Sequence, residues 1–389
     1  MKKLLLILSL CTALFSNAQT TVYDTIISGG VKRSYILYIP AIYNASHATP
    51  LVFNFHGYTS TNVQQAFYAN FSPVADTANF IIVLPQGLST GGNTGWANFG
   101  TVASASADIN FVSNLIDTLS AQYNVNSNRI YSTGLSNGGF MSYDLACFLN
   151  NRFAAIASVA GSMVASHITS CNPARKIPVM EIHGTTDPTV SYSGTSGIVA
   201  STNIDSLVKF WVKFNNCNQT PTTTSVTNIS TTDNCTAIHY TYDSQTTCGS
   251  TVEFFQVVGG GHTWPGASYI LPVGSSGNTN EDFNACKEIW RFFSKCDATL
   301  TGISQQVNPI NQISLYPNPS TGTFTLAFQS TLSSPAKITI SNILGEEIYT
   351  SQQINTTQQI SLTNAANGTY FVHVQGADGN YVQKVIVNR

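Results

Sequence analysis

Charge is what this sequence has least of. Asp, Glu, Lys and Arg make up 9% of its 389 residues, against about 25% in an ordinary soluble domain, so solubility must rest on the abundant Ser, Thr, Asn and Gln. Sixteen basic residues stand against eighteen acidic ones, for a net charge of -2, and no run of like charge occurs. A nucleic-acid partner is therefore not expected, because holding phosphates needs clustered Lys and Arg. No C-x-x-C pair or Cys/His cluster occurs, so no metal site is expected. Long apolar runs are also scarce. Leu4 to Phe15 is the longest, too short to span a bilayer. With Lys2-Lys3 before it and Ser16-Asn17-Ala18 after it, residues 1–18 read as a secretory signal. The mature chain is expected to be secreted through the periplasm, with no membrane span.

Export into an oxidising compartment changes how the cysteines are read. Seven of the eight follow the signal, so at least one thiol is unpaired or bridges to another chain. The expected bridges are Cys147 with Cys171 and Cys217 with Cys248; the alternative is buried free thiols. Cys286 and Cys296 lie on what reads as one helix, about 15 Å apart along its axis, too far to pair.

From residue 19 to 297 the pattern alternates strand and helix. Apolar runs at Ser34 to Ile39, Leu51 to Phe55, Phe80 to Leu84, Arg129 to Thr133, Ala154 to Val159, Pro178 to Ile182 and Val252 to Val258 read as strands. Helices are expected at Asp108 to Gln122, with Asp108 as its cap, at Gly138 to Leu149 and at Asp205 to Phe214. Near-continuous apolar strands between helices predict a mostly parallel sheet covered on both faces. Residues 298–312 read as a polar linker. Short alternating runs with Asn-Pro, Asn-Gly and Asp-Gly turns then predict a small all-β sandwich over 313–389.

The chemistry concentrates at three strand ends. Strand Arg129 to Thr133 runs into Gly134-Leu135-Ser136-Asn137-Gly138-Gly139 and then a helix, the context of a nucleophile elbow, in which flanking glycines permit a turn tight enough to expose a serine. Pro178 to Ile182 ends in His183-Gly184-Thr185-Thr186-Asp187, and Val252 to Val258 in Gly259-Gly260-Gly261-His262-Thr263-Trp264. Asp187 alone could cap a turn, and His262 alone could be an exposed loop residue. Together with Ser136 they follow the order nucleophile, acid, base of the α/β-hydrolase fold, with Ser136 attacking an ester, His262 moving the proton and Asp187 orienting the imidazole. The backbone N–H groups of Asn137 and Tyr58 are the expected oxyanion donors. His56, Trp96, Trp264 and Tyr269 are candidate substrate-binding residues on cleft loops. His56 is expected chiefly to order its loop, and His183 to be structural. No cofactor is needed.

The stretches His56-Gly57, Leu84-Pro85-Gln86-Gly87, Gly134 to Gly139, His183 to Asp187 and Gly259 to Gly266 resemble secreted esterases of the polyhydroxybutyrate depolymerase and feruloyl esterase family. The resemblance implies an α/β-hydrolase acting on carboxylic esters, with its triad at Ser136, Asp187 and His262. Tyr58 stands where many relatives have Cys, and the Trp-rich segment before Asp108 is reduced to Gly95-Trp96-Ala97-Asn98-Phe99. Leu315 to Gly322, Asn342 to Gly345, Asn367 to Tyr370 and Lys384 to Arg389 resemble a type IX secretion sorting domain, which implies the type IX machinery as partner for residues 313–389.

The expectation is a secreted feruloyl esterase acting on plant polysaccharide. A polyester depolymerase or short-chain lipase is the alternative on the same triad, followed by a serine peptidase. A non-catalytic glycan-binding protein is the reading from another class, disfavoured because binding alone does not require nucleophile, acid and base together.

Overall fold

A strand that is apolar on both faces belongs inside a sheet covered on both sides. Thr49–Phe55 is such a strand, with all seven residues buried. The computed structural model describes residues 19–389 apart from 100–101, 196–199, 245–249, 268–275, 297–312, 329–334, 343–345, 354–355 and 377–378. The signal at 1–18, the linker at 298–312, Cys248 (hence the Cys217 pairing) and Tyr269 thus lie outside the described residues. The chain divides into two units, Met1–Thr299 and Leu300–Arg389.

In the first unit the strands are β1 (Thr20–Ser28), β2 (Val31–Ile39), β3 (Thr49–Phe55), β4 (Ile81–Pro85), β5 (Leu88–Thr90), β6 (Asn93–Gly95), β7 (Val125–Leu135), β8 (Ala155–Val159), β9 (Val179–Gly184), β10 (Thr222–Ser225), β11 (Thr236–Tyr242) and β12 (Val252–Val258). The helices are α1 (Asn62–Tyr68), α2 (Ser72–Ala78), α3 (Val102–Gln122), α4 (Asn137–Phe148), α5 (Ala165–Ser170), α6 (Ile204–Phe214) and α7 (Ala285–Ser294). Ten strands form one sheet in the order β1-β2-β4-β3-β7-β8-β9-β12-β11-β10, and β5 and β6 form a separate hairpin. From β4 to β12 the neighbours run parallel, with antiparallel strands at both edges.

The pleat of β3 sends alternate residues to opposite cores. Leu51, Phe53 and Phe55 pack with Phe111, Val112 and Leu115 of α3, Met141 of α4 and Trp211 of α6. Val52 packs on the other face with Ile82 and Leu84 of β4, Tyr68 and Ala75 of α1 and α2, and Ile289, Phe292 and Phe293 of α7. Every strand expected in this unit is present. β1 and β10 carry no clear apolar signal because most of β1 and all of β10 are exposed. Cys147 and Cys171 form a disulfide, and Cys235, Cys286 and Cys296 are buried thiols.

One helix start differs from expectation. α3 begins at Val102, so Asp108 lies inside it and caps nothing; the Ala/Ser-rich first turns lack the apolar period that would have marked them. Asp108 is instead buried. Its Oδ1 pairs with Arg33 Nη2 at 2.7 Å and its Oδ2 accepts from Ala97 N at 2.8 Å, while the guanidinium lies 4.0 Å from the Phe111 ring centroid. This pair ties β2, α3 and the segment after β6 together. Asp108→Ala, which strands a buried guanidinium, is expected to lower stability by about 3–5 kcal/mol in denaturant unfolding; a loss below 1 kcal/mol would contradict that role.

The second unit contains β13 (Ile313–Tyr316), β14 (Thr323–Phe328), β15 (Ala336–Asn342), β16 (Glu347–Gln353), β17 (Thr357–Ser361), β18 (Gly368–Gly376) and β19 (Gly379–Val387). They form antiparallel sheets β13-β14-β17 and β16-β15-β18-β19. Phe324, Leu326 and Ile360 of one share a core with Ile338, Ile340, Val372, Val374, Val385 and Val387 of the other, which is a small sandwich.

Candidate active site

The chain leaves β3 for β4 on one side and later returns to β7 on the other, so the strand order reverses between β3 and β7. Loops leaving the carboxyl ends at such a point diverge and open a crevice. Ser136 follows β7 in this crevice at φ 56° and ψ -120°, a strained backbone for a residue with a side chain. Glycine is obligatory on both sides. A Cβ on Gly138 would collide with the Phe55 carbonyl, and one on Gly134 would lie 2.6 Å from that same oxygen. The elbow is fastened by Ser136 N donating to Val159 O at 2.9 Å and by Phe140 N donating to Ser136 O at 3.0 Å.

The side chain of Asn137 holds the neighbouring loop. Its Oδ1 accepts from Trp96 N at 2.7 Å, its Nδ2 donates to Asn98 Oδ1 at 2.6 Å, and Asn98 Nδ2 donates back to Asn137 O at 3.1 Å. Sequence reasoning used only the backbone N–H of Asn137; an amide side chain at the buried start of α4 was the missed signal.

His262 follows β12. Its Nδ1 lies 2.8 Å from Asp187 Oδ2. Asp187 follows β9, and its Oδ1 accepts from Thr189 N and Val190 N, both at 2.8 Å. Two backbone donors on one oxygen aim the other at the imidazole. Ser136 and His262 both line a cavity of about 290 Å³ whose walls include Tyr58, Tyr68, Leu135 and Trp264. Among the described residues, no Asp, Glu, Lys or Arg lines it. The loop carrying Tyr58 lies against the elbow: a Cβ on Gly57 would sit 3.5 Å from Ser136 Cβ.

The substrate-binding candidates separate. Trp264, although only 2% exposed, forms part of the cavity wall. His56 and Trp96 do not line the cavity; both are buried structural members. Gly87 N donates to His56 Nε2 at 2.9 Å, so that nitrogen is an acceptor, and Nδ1 faces the Gly57 carbonyl at 2.8 Å. Both bonds suit a neutral ring, and burial lowers its pKa to about 4. Trp96 donates Nε1–H to His56 O at 2.9 Å and packs edge-on against Phe55. An aromatic in a Gly-rich loop cannot be told from its sequence to point inward rather than into a cleft, and here the buried donor found its acceptor inside.

Comparison with known proteins adds family to geometry. Residues 39–220 match the Phospholipase/Carboxylesterase family and residues 314–388 match the Secretion system C-terminal sorting domain. The first match includes Ser136 and Asp187 and stops short of His262. Among curated proteins, the chain is 29% identical to a bifunctional acetylxylan esterase/xylanase of Neocallimastix patriciarum over 46% of its length and 25% of that protein. It is 29% identical to feruloyl esterase D of Neurospora crassa over 44% of its length and 58% of that protein. It thus spans between a quarter and somewhat over half of these relatives. An acetyl xylan esterase structure from Aspergillus awamori superimposes with a TM-score of 0.52 over 71% of this chain and 100% of that one, at 15% identity, a likeness of fold. No helix among the described residues is long and apolar enough to cross a membrane, and the sorting domain marks the chain as a secreted protein. Residues 39–220 are therefore similar to the Phospholipase/Carboxylesterase family and carry the α/β-hydrolase fold, and residues 314–388 are similar to the secretion system C-terminal sorting domain.

Proposed function

We propose that the chain is a secreted serine carboxylesterase, acting through Ser136, His262 and Asp187 as a feruloyl esterase on plant polysaccharide, and exported by type IX machinery that reads residues 313–389. The observation that carries this reading is that Ser136 and an Asp187-bonded His262 open onto one uncharged, partly aromatic cavity. With Asp187 accepting the Nδ1 proton, Nε2 is the free base. It takes the hydroxyl proton as Ser136 Oγ bonds to the ester carbonyl carbon, and the N–H groups of Tyr58 and Asn137 receive the oxyanion. Collapse expels the alcohol with the proton from His262, leaving an acyl-Ser136. Water then adds by the same route in reverse and releases the acid.

Substrate class follows from the walls. Tyr58, Tyr68 and Trp264 suit a flat ring-bearing acyl group, and the lack of formal charge disfavours an ionised one. A cavity of about 290 Å³ is also more than an acetyl group fills. The printed names of the relatives, feruloyl and acetylxylan esterases, support the same direction. The test is hydrolysis by the full chain of methyl ferulate and feruloylated arabinoxylan, against polyhydroxybutyrate film and short-chain nitrophenyl esters, with Ser136→Ala as control. Ferulate release absent in the control is expected. Activity confined to polyester or nitrophenyl esters would keep the triad and replace the substrate with that of a depolymerase or lipase.

A further inference from the structure

Behind Asp187 lies an ionisable pair for which the triad has no use. β9 is buried along its whole length, yet it carries Glu181 at 0% and His183 at 1% exposure; such groups are rarely buried unless paired. His183 Nδ1 lies 2.9 Å from Glu181 Oε1, and its Nε2 lies 2.9 Å from Val190 O and 3.5 Å from Asp187 Oδ2. The second oxygen of Glu181 accepts from the Tyr143 hydroxyl at 2.7 Å. A carbonyl can only accept, so Nε2 carries a hydrogen whatever the state of Nδ1. Burial by itself would lower the pKa of this imidazole, but the hydrogen bond and charge of Glu181, together with the charge of Asp187, outweigh it and raise the pKa.

We propose that the Glu181–His183 pair is a positioning element of the triad: His183 pins the Asp187–Val190 turn through the Val190 carbonyl and sets its Nε2–H 3.5 Å from the oxygen that Asp187 offers to His262. The inference rests on the triad reading above. Val190 is bound from both ends, its carbonyl to His183 and its N–H to Asp187 Oδ1, so the turn has little freedom to rotate the carboxylate away. The ionisable groups facing the pair are Tyr143 from α4, Asp187 and Tyr192 from the segment after β9, and, beyond Asp187, His262 of the loop after β12.

Glu181→Gln tests the carboxylate's part in this positioning. A Gln side chain can accept from Tyr143 and donate to Nδ1, with Nε2–H still facing Val190 O; the shape is kept, but the carboxylate that orients the His183 ring is replaced by a neutral amide and the ring is held less firmly. In the full chain, with a short-chain nitrophenyl ester, the variant is expected to melt cooperatively and to lose about tenfold in kcat with KM within about twofold. A kcat identical to wild type would overturn the proposal. So would loss of the cooperative melt, which would make the pair a folding element instead. Ser136→Ala run in parallel separates the two levels. If it is inactive while Glu181→Gln behaves as wild type, the triad stands and the role of the pair falls; if it retains full turnover, both fall.

Discussion

Ser136→Ala is expected to lower ester turnover by on the order of 10^5-fold with little change in stability. The removed atom is the proposed nucleophile, whereas everything that shapes the elbow is backbone or glycine: Gly134 and Gly138 against Phe55, and the Ser136 amide on Val159. Alanine meets the same positive φ as serine, so strain is unchanged. Binding and the two proposed oxyanion N–H groups survive, which leaves residual acceleration over water and a KM close to wild type. Thermal melts and kcat on one nitrophenyl ester check both halves. A fall in activity matched by a fall in melting temperature would mean that the hydroxyl is structural.

Asp187→Asn is expected to cost about 10^4-fold in kcat, again with the fold intact. Oδ1 takes two backbone N–H groups from Thr189 and Val190, so an amide would keep its oxygen there and turn its NH2 toward His262. That donor meets Nδ1 and drives the ring proton onto Nε2, the atom that must accept from Ser136. It also faces His183 Nε2, another donor, so the variant is mismatched on both sides. The contrast with Glu181→Gln is informative: one change inverts the tautomer, the other only loosens the ring behind Asp187, and the expected losses differ by about a thousandfold. Equal losses would argue against the separate roles assigned to the two carboxylates.

How much of this was legible beforehand depends on where each residue sits. Strands such as β3 and β12 were readable because both faces are buried, which leaves an unbroken apolar run. The edge strands β1 and β10, wetted on one side or both, left none. Gly134, Ser136 and Gly138 could be found because a close turn demands glycine at fixed offsets. Asp187 and His262 could be singled out as candidates because they stand just past apolar strands. The inward course of Trp96 could not be seen, since what decides it is a hydrogen bond to His56, forty residues away in sequence. Asp108 was misread as a cap for a similar reason: its partner, Arg33, lies 75 residues away. Glu181 was visible as a charge inside an apolar strand, but only the fold shows that it faces His183 and that both stand behind Asp187.

The reading as a glycan-binding protein without catalysis makes a different demand on the same residues. Binding needs surface complementarity and gives no reason to hold a serine at positive φ on the same cavity as an imidazole fixed by a buried carboxylate. Secretion is equally compatible with either reading.

The most direct measurement is to treat the purified full chain with a fluorophosphonate ester and locate the adduct by peptide mass mapping. A single phosphonylated residue at Ser136, formed in wild type and lost in both Ser136→Ala and His262→Ala, is the result expected of an activated nucleophile. A folded wild-type chain that takes up no label, or that takes it up at another residue, would contradict the assignment of Ser136.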